Sequence, residues 1–584
     1  MKTHSRRSLM VVLAGIVMLL CLTIGRLSYL MIGRAKHYAQ QIQDVHERER
    51  SIKAERGVIY DRNGVVLAAN RPVCTISVIY SQMTDREKVI EILSKELSIG
   101  EEVVRKRVEK VSSREKIKSN VDKSIGDKIR EYGLDGVVID EDYKRYYPYH
   151  ELASKVLGFT GADNQGIIGL EVYYDSTLMG TDGKILTLTN ARGVEIENKA
   201  EHRQEPIAGT SLYTSLDVNI QQYAQQACEK VLKAKNAKRV SMIVMDPRQG
   251  EILAMVNVPE FDLNEPYTLT METEKELTEQ ERSDLLNTMW RNFCISDTYE
   301  PGSAFKVITA TAALEANAVN EGSQFYCPGY KKVEDRIIHC HKRAGHGAET
   351  FLDGIKNSCN PVFMEIGERT GIKNLYKTFR KLGLFSKTGI DVPGESSSIM
   401  HKEENVGAVE LATISFGQSF QITPMQLITG ISTVINGGTK VTPHFGIRTE
   451  SPDGETISVL EYEEIKDCIA SSVSETMKYA LEQVVATGSG NKAYLEGFRI
   501  GGKTATSEKL PRKSGKYISS FVGFAPANDP KVVAIVMIDE PEGVYYGGTI
   551  ATPVVAEVYA NILPYLGIKQ EIQDTGEKKS TIEE

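Results

Sequence analysis

The sequence is poor in tryptophan, histidine and cysteine, and it has no excess of positive charge. Its 584 residues include 1 Trp, 10 His and 8 Cys, with 70 Lys and Arg against 78 Asp and Glu. The net charge of −8 gives no support to a nucleic-acid-binding function, because contacts to a phosphate backbone need basic side chains. Internal repeats and long low-complexity tracts are absent from the sequence. The length and the hydrophobic fraction of 41% predict several domains with sizeable cores.

Long uncharged apolar runs are also scarce, and the clearest one lies near the N-terminus. Leu9–Gly25 contains no charged residue, and residues 27–32 extend the pattern past Arg26. A membrane-spanning helix needs about 20 apolar residues, and a cleaved signal peptide is the alternative. No small-residue cleavage site follows the run, so we predict an uncleaved anchor. Basic residues are nearly balanced on its two sides, so charge alone does not set the orientation.

A serine–x–x–lysine motif is the first of three patterns that point to chemistry. Ser303 and Lys306 follow the turn sequence Tyr299–Gly302, and the Ala-rich segment 307–317 predicts a helix that begins near Ser303. Residues three apart share one face of a helix, so the two side chains can meet. A serine hydroxyl needs a base to become a nucleophile, and lysine is such a base when burial or a second cation lowers its pKa. Two other matches to this pattern open no apolar helix.

Two further motifs follow the first one at wide spacing. Ser358-Cys359-Asn360 supplies a polar relay, and Lys503-Thr504-Ala505-Thr506 lies between segments that resemble strands. The apolar segments 517–525 and 532–538 predict strands, the second of them buried. The two glycines before Lys503 indicate a strand whose backbone a ligand approaches closely. Lys503 is a candidate for the second cation that lowers the pKa of Lys306.

In this order, the three motifs resemble those of class B penicillin-binding proteins, which are monofunctional D,D-transpeptidases. The similarity is strongest to the division and sporulation branch and covers nearly the whole chain. No glycosyltransferase domain fits between the anchor and the pedestal, which disfavours the bifunctional class A type. Further segments resemble the family's membrane-proximal motif, its pedestal motifs and its entry to the catalytic domain: Arg56–Gly64, Arg145–Pro148, Gly158–Gly161, Gly169–Glu171 and Thr214–Asp217.

The resemblance implies an α+β protein held at the cell membrane by one span, with its catalytic domain outside. We expect an N-terminal transmembrane helix, an elongated α+β pedestal, and a serine transpeptidase domain in which helices flank an antiparallel sheet. The expected parts are a cytoplasmic tail (1–8), the anchor (9–32), a charged stalk (33–55), a pedestal of the dimerisation type (56–210), the transpeptidase domain (211–565) and a disordered tail (566–584).

The resemblance also implies roles for the residues of the first two motifs. Ser303 would be acylated by a stem peptide that ends in D-Ala-D-Ala, and also by β-lactams. Lys306 would be the base, and Ser358 would shuttle a proton. Asn360 would bond Lys306 and the substrate amide. This chemistry requires no cofactor.

The third motif is implied to bind substrate, and it departs from the family pattern. Lys503 and Thr504 would hold the substrate carboxylate, and the backbone N–H groups of Ser303 and Thr506 would form the oxyanion hole. The family usually has Gly at the position of Ala505, so we expect the extra methyl group to crowd the substrate. It often has Thr at the position of Ala304, which is a mild change.

Cysteine and histidine are concentrated in one short segment that precedes the second motif. Cys327 and Cys340 bracket a predicted hairpin, and His346 follows within a few residues. Thiolates and imidazole suit a tetrahedral structural zinc site. A Cys327–Cys340 disulfide and free thiols are the alternatives. Asp335 is the expected fourth ligand, with His339 and His341 as the other candidates.

Three functions are compatible with these observations. The leading one is a transpeptidase that crosslinks peptidoglycan stem peptides through a serine acyl-enzyme, together with a membrane glycosyltransferase partner. The second is a penicillin-recognising sensor that is acylated without turnover. The third is a catalytically weak homologue that acts as a scaffold, and Ala505 is the feature that favours it. The sequence does not distinguish a role in septation, elongation or sporulation.

Overall fold

The computed structural model describes residues 2–35, 47–112, 114–188, 202–271 and 276–571. Residues 36–46 of the predicted stalk and 572–584 of the predicted C-terminal tail therefore lie outside the described residues. Contacts between residues divide the chain into two compact units. One contains residues 1–55, 71–144 and 180–208, and the other contains residues 56–70, 145–179 and 209–584. The predicted pedestal of residues 56–210 thus contributes to both units, and its boundaries stay a sequence prediction.

The α-helices of the described residues are numbered here in chain order: α1 (Lys2–Ser28), α2 (Arg86–Leu97), α3 (Glu101–Val108), α4 (Lys123–Glu131), α5 (Ser154–Leu157), α6 (Gly169–Tyr173), α7 (Asp175–Leu178), α8 (Val218–Ala234), α9 (Glu279–Trp290), α10 (Phe293–Ser296), α11 (Lys306–Glu315), α12 (Phe351–Lys356), α13 (Asn360–Lys381), α14 (Ala408–Ile414), α15 (Pro424–Ile435), α16 (Ser471–Ala486), α17 (Gly547–Ile550) and α18 (Thr552–Tyr565).

The β-strands are numbered in the same way: β1 (Glu47–Ile52), β2 (Ile59–Tyr60), β3 (Val66–Val78), β4 (Glu115–Asp122), β5 (Val137–Tyr146), β6 (Gly183–Leu188), β7 (His202–Gln204), β8 (Ser211–Thr214), β9 (Arg239–Met245), β10 (Ile252–Val258), β11 (Gln324–Cys327), β12 (Tyr330–Val333), β13 (Arg336–His339), β14 (Gly347–Thr350), β15 (Lys440–Val441), β16 (Gly446–Glu450), β17 (Thr456–Val459), β18 (Glu464–Ile465), β19 (Gly501–Glu508), β20 (Tyr517–Ala525) and β21 (Val532–Asp539).

The N-terminal apolar run forms one helix, as predicted. Helix α1 begins at Lys2, and a π-helical turn, Tyr29–Gly33, continues it. Residues Arg7–Gly33 have a mean hydropathy of 2.6 over their most apolar window and none of that window is buried, so this segment is a candidate membrane span. The helix is longer than the anchor predicted at residues 9–32, because the polar residues before Leu9 also adopt helical geometry.

The first unit contains a sheet of its own and a small helical layer. Strands β1, β6 and β7 form a three-stranded sheet in that order. The last part of β3 pairs with β4, and helices α2, α3 and α4 supply the buried apolar residues that pack with these strands. The period of buried residues in α2, at Val89, Ile90, Leu93 and Leu97, is that of a helix with one apolar face.

The second unit is built around a five-stranded antiparallel sheet with the order β10-β9-β21-β20-β19. Both faces of this sheet are covered by helices. On β21, Val533 and Ile535 contact the core that contains α11 and α15, whereas Val532 and Ala534 contact the core that contains α8 and α18. A strand with two buried faces needs apolar residues at every position, which explains the uninterrupted apolar sequence. The predicted strands at 517–525 and 532–538, and the predicted sheet flanked by helices, are confirmed.

Three segments that are distant in sequence meet at a buried carboxylate in the second unit. Arg56 Nε donates to Glu171 Oε2 at 2.7 Å, and Arg145 Nε donates to Glu171 Oε1 at 2.7 Å. Arg56 also pairs with Asp175 at 2.8 Å. The side chains of Arg56 and Glu171 are fully buried, so each charge depends on the others for compensation. The membrane-proximal and pedestal motifs therefore share one ion cluster.

The C-terminal boundary predicted at residue 566 lies too early. Ile568 is 7% exposed and belongs to the core that contains α8 and α18. The backbone N–H of Glu571 donates to the carbonyl oxygen of Gly497 at 2.8 Å. The sequence signal failed here because one buried isoleucine in a polar stretch is enough to hold the chain against the domain.

Candidate active site

The nucleophile candidate Ser303 lies in a 3₁₀ turn, Gly302–Phe305, that leads directly into α11. The predicted helix therefore begins as a tighter turn, and regular α geometry starts at Lys306. Gly302 has a φ of +54°, and a Cβ atom there would lie 2.4 Å from Ser507 Oγ. Only glycine fits this close approach of the turn to β19, because the conformation is left-handed and the space is filled. Ser303 Oγ makes no hydrogen bond with the residues that the structure describes.

The ammonium group of Lys306 is directed at the second motif. Its Nζ donates to Asn360 Oδ1 and to the carbonyl oxygen of Ser358, both at 2.7 Å, and contacts Ser358 Oγ at 3.3 Å. The residue is 1% exposed. Burial lowers the pKa of Lys306 from 10.5 to about 8, although Cys359, Cys340 and Glu349 partly oppose this shift. Lys306 is therefore partly neutral near neutral pH, as a general base requires.

Lys503 reaches the same hydroxyl from β19. Its Nζ donates to Ser358 Oγ at 2.8 Å, and the residue is fully buried. Burial and repulsion from Lys306 lower the pKa of Lys503 well below 10.5. Ser358 itself has a φ of +54°, an uncommon conformation for a residue other than glycine. The structure thus places Ser358 between two lysines, at the cost of local backbone strain.

The remaining predicted residues line one cavity together with the nucleophile. This cavity has a volume of about 490 Å³ and is lined by Ser303, Ser358, Asn360, Thr504 and Thr506, among others. Its long wall is β19, the outermost strand of the five-stranded sheet. A larger cavity of about 610 Å³ beside Tyr376 contains none of the predicted site residues. All five predicted catalytic residues are therefore within or next to the smaller cavity.

The polar side chains of the third motif also hold neighbouring segments in place. Thr504 Oγ1 donates to Ser489 Oγ at 3.3 Å, and Thr506 Oγ1 accepts from the backbone N–H of Gly547 at 2.9 Å. Both partners belong to segments that line the cavity. The two threonines therefore fix the wall that faces Asn360.

The structure places Ala505 in the wall of the catalytic cavity, and the expected crowding of a substrate stays a prediction. This residue is 3% exposed and belongs to the same hydrophobic core as Phe305. Its side chain follows the parity of Lys503, because residues two apart on a strand point to the same face. Lys503 Nζ reaches Ser358 Oγ, so Ala505 lies on the face of β19 that is turned towards the catalytic residues, and it stays the feature that favours the scaffold hypothesis.

Four side chains near the catalytic cavity form a cluster of metal-ligand type. They are Cys327, Cys340, His346 and Cys359, and their ligand atoms all lie within 4.8 Å of one another. Asp335, the fourth ligand predicted from the sequence, lies between β12 and β13 and is not in this group. Neither His339 nor His341 takes its place. Cys359 is the fourth member of the cluster, because the start of α13 lies next to the hairpin. The position of Cys359 in the sequence alone did not indicate this.

The cluster is buried and has an unsatisfied carboxylate beside it. Glu349 Oε1 accepts from Asn357, whereas Glu349 Oε2 has no hydrogen-bond partner in the described chain and lies 3.9 Å from His346 Nδ1. All eight cysteines are unpaired, so the structure contains none of the three disulfides that Cys327, Cys340 and Cys359 could form. A hydrogen bond between the thiols of Cys340 and Cys359 lowers the pKa of the first and raises that of the second.

Sequence reasoning missed Glu300 and Arg512 near the cavity, and it gave His341 only as a candidate metal ligand. His341 lines the catalytic cavity, and its Nδ1 lies 3.8 Å from Cys340 Sγ. This imidazole is therefore next to both the cavity and the cysteine cluster. Glu300 and Arg512 form an ion pair across 212 residues, immediately before the nucleophile turn. No periodicity or motif links such distant positions, so only the folded chain reveals them.

Comparison with known proteins identifies the two halves of the chain. Residues 240–560 match the family described as the penicillin binding protein transpeptidase domain. Residues 51–214 match the penicillin-binding protein dimerisation domain. The first match alone covers more than half of the chain, and it includes all three catalytic motifs.

Curated relatives and a solved structure agree with these matches. The chain is 37% identical to stage V sporulation protein D of Bacillus subtilis, over 97% of this chain and 87% of that protein. It is 28% identical to the probable peptidoglycan D,D-transpeptidase PenA of Neisseria gonorrhoeae, over 97% and 94% of the two chains. Penicillin binding protein 2X of Streptococcus thermophilus has the same fold, with a TM-score of 0.72 at 22% identity over 90% of this chain and 83% of that one. The chain therefore belongs to the penicillin-binding proteins, and its fold is that of a transpeptidase preceded by a dimerisation domain.

Proposed function

We propose that this protein is a peptidoglycan D,D-transpeptidase of the class B type, with Ser303 as its nucleophile. The observation that carries this proposal is the convergence of Lys306 and Lys503 on Ser358, inside the cavity that Ser303 lines. Two buried lysines surround one hydroxyl in the cavity that Ser303 lines. Lys306 in its neutral form supplies a base, and Ser358 supplies a proton relay. The family membership of the chain agrees with this chemistry.

The first half-reaction would form an ester on Ser303. Its Oγ attacks the carbonyl carbon between the two D-Ala residues of the donor stem peptide, while neutral Lys306 accepts the hydroxyl proton. The negative oxygen that develops is held by the backbone N–H groups of Ser303 and Thr506, which are preorganised donors. The C–N bond then breaks, and Ser358 returns the proton to the departing D-Ala. Lys503 and Thr504 hold the carboxylate of that D-Ala.

The second half-reaction would transfer the acyl group to another stem peptide. An amine of the acceptor attacks the ester carbon and loses its proton through Ser358 and Lys306. The ester C–O bond breaks, and Ser303 recovers its proton. A β-lactam would stop after the first half, because its leaving nitrogen stays attached to the acyl group and keeps the acceptor out.

The reaction can be tested with the full chain purified in detergent. After incubation with benzylpenicillin, we expect the intact mass to increase by that of one penicillin, and peptide mapping should place the adduct on Ser303. Ser303→Ala should carry no adduct, with an unchanged thermal stability. An adduct on another residue, or persistent labelling of Ser303→Ala, would overturn the assignment.

A donor peptide and an amine acceptor distinguish the enzyme from the sensor and scaffold alternatives. With a D-Ala-D-Ala donor and a D-amino acid as acceptor, the protein should release D-Ala and form the exchanged peptide. Acylation without any exchange would favour the sensor.

We further propose that Cys327, Cys340, His346 and Cys359 hold a structural zinc ion. Three thiols and one imidazole are a common donor set for structural zinc. Ligand atoms in a tetrahedral site with Zn–S bonds of about 2.3 Å lie roughly 3.8 Å apart, and Cys340 Sγ is 3.7 Å from His346 Nδ1. The free oxygen of Glu349 next to His346 adds a negative charge that favours a cation. The metal would supply no chemistry to the serine mechanism.

Cys359 lies between Ser358 and Asn360 in the sequence, so loss of the zinc ion would disturb two catalytic residues directly. Elemental analysis of the full chain should find about one zinc per protein. Cys359→Ser should lower the metal content, the thermal stability and the rate of acylation together. Cys468→Ser, a change at a buried cysteine outside the cluster, is the matched control. A metal-free protein with full stability and activity would contradict the proposal.

The orientation and the partner of the protein follow from the same function. Helix α1 would anchor it in the cell membrane with the catalytic unit outside, where peptidoglycan is assembled. A membrane glycosyltransferase would supply the glycan strands whose peptides are crosslinked. Labelling of intact cells with a membrane-impermeant reagent tests the orientation: a reagent that reached the catalytic unit only after lysis would refute it.

A further inference from the structure

A partly buried ion pair joins the segment before the nucleophile turn to the far end of β19. Glu300 lies three residues before Ser303 and is 8% exposed. Arg512 Nη2 donates to Glu300 Oε1 at 2.7 Å and to Oε2 at 2.5 Å. Arg512 belongs to the connection between β19 and β20, so the contact links segments that are 212 residues apart.

The same carboxylate also binds a wall of the cavity. The backbone N–H of Ser419 donates to Glu300 Oε1 at 3.0 Å. Two residues earlier in this wall, the carbonyl oxygen of Gly417 accepts from the N–H of Gly302 at 2.9 Å, and Gln418 lines the cavity. Ser419 has a φ of +69°, so its backbone is held in a strained conformation. Glu300 therefore fixes the nucleophile turn and this wall together.

Arg512 in turn fixes the end of β19. Its Nη1 donates to the carbonyl oxygen of Glu508, the last residue of that strand. Next to Glu508, Ser507 closely approaches Gly302, where a Cβ atom would lie 2.4 Å from Ser507 Oγ. The guanidinium group thus bridges the strand end and the turn on the side remote from the two lysines.

We propose that Glu300 and Arg512 are positioning residues that set the spacing between the N–H groups of Ser303 and Thr506. This inference rests on the proposed function, in which those two groups stabilise the oxyanion. Such donors act only within a narrow range, about 2.7–3.1 Å from the oxygen. Ser303 belongs to the turn that Glu300 precedes, and Thr506 is two residues from Glu508. The ion pair is the charged bridge between their two segments.

The test separates noncovalent binding from the acylation step. For the full chain in detergent, stopped-flow measurements with a chromogenic cephalosporin give the dissociation constant and the first-order rate of acylation. Arg512→Gln and Glu300→Gln should each lower the acylation rate by about 10- to 100-fold, a fraction of the loss from removing an oxyanion donor. The dissociation constant should change by less than about threefold. The double variant should be no slower than the slower single variant, because both remove one interaction.

A matched pair elsewhere in the same domain controls for the loss of a surface ion pair. Arg499 donates to both oxygens of Glu482 at 2.7 Å, and its side chain is 38% exposed, against 36% for Arg512. Arg499→Gln should therefore leave the acylation rate unchanged, and Arg512→Lys should recover part of the rate lost in Arg512→Gln. Rates for Arg512→Gln and Glu300→Gln within twofold of Arg499→Gln would overturn the proposal. Failure of the unmodified protein to acylate would refute the proposed function instead.

Discussion

The role of Lys306 as the base can be tested by changing the charge of its closest partner. Asn360 Oδ1 accepts from Lys306 Nζ at 2.7 Å, so Asn360→Asp places a carboxylate next to the ammonium group. An opposite charge at this distance raises a lysine pKa by about 1–3 units. The pKa of Lys306 should therefore rise from about 8 to a value between roughly 9 and 11.

The size of the effect on acylation follows from the neutral fraction of Lys306. With a pKa of about 8, roughly one molecule in eleven has a neutral Lys306 at pH 7. A rise of about 1–3 units lowers that fraction by a further ~10- to 1,000-fold, and the acylation rate at pH 7 should fall by the same factor. Because only deprotonation is affected, the rate should recover as the pH increases.

The assay is the pH dependence of the second-order acylation rate, which reports ionisations of the free enzyme. For the unmodified protein we expect the rate to rise with pH through a midpoint near 8. For Asn360→Asp the midpoint should move to higher pH, even if loss of the amide changes the maximal acylation rate. Asn374→Asp, on the same helix and 14 residues further along, should keep the original midpoint. An unchanged midpoint in Asn360→Asp would show that Lys306 is not the group that must lose its proton.

Three further changes test the packing around the site. Gly302→Ala should slow acylation and lower the thermal stability, because the added Cβ would lie 2.4 Å from Ser507 Oγ on a backbone with φ of +54°; equal rates would show that β19 moves aside freely. Glu171→Ala should destabilise the protein by about 3–5 kcal/mol, since it leaves the buried Arg56 and Arg145 without their shared carboxylate. A thermal melt unchanged from that of the unmodified protein would contradict this. Ala505→Gly should speed acylation by about tenfold, corresponding to about 1.4 kcal/mol of barrier, because Ala505 lines the cavity that a substrate would enter; an unchanged or slower rate in stopped-flow assays would show that the strand already accommodates the methyl group.

Local sequence patterns predict those parts of the site whose structure depends on residues close by in the chain. The turn before Ser303 and the apolar helix after it can be predicted because Gly, Pro and Ala have strong backbone preferences. The strands at 517–525 and 532–538 can be predicted because a sheet covered on both faces leaves an uninterrupted apolar run.

Contacts between segments that are distant in sequence could not be predicted from these local patterns. From the sequence, Cys359 is predicted only to be a small buried residue. Its position beside Cys340 depends on where α13 begins. Asp335 was selected as a ligand for its proximity in sequence, but a turn between two strands directs it elsewhere. Glu300 and Arg512 are ordinary charged residues until the fold brings them together. Charge pairs carry no periodicity, so their partners are set by tertiary structure alone.

The outermost position of β19 in its sheet has a consequence for how a substrate is recognised. Among the strands of the described residues, none pairs with one edge of β19, yet the residues of this strand are mostly buried. An extended peptide that enters the cleft can add itself to the sheet through main-chain hydrogen bonds, at the usual spacing of about 4.8 Å. Strand addition of this kind depends on the backbone direction and chirality of the peptide more than on its side chains. Stem peptides with different side chains can therefore bind in the same way. The burial of most residues of β19 also limits pairing of this edge with another protein molecule.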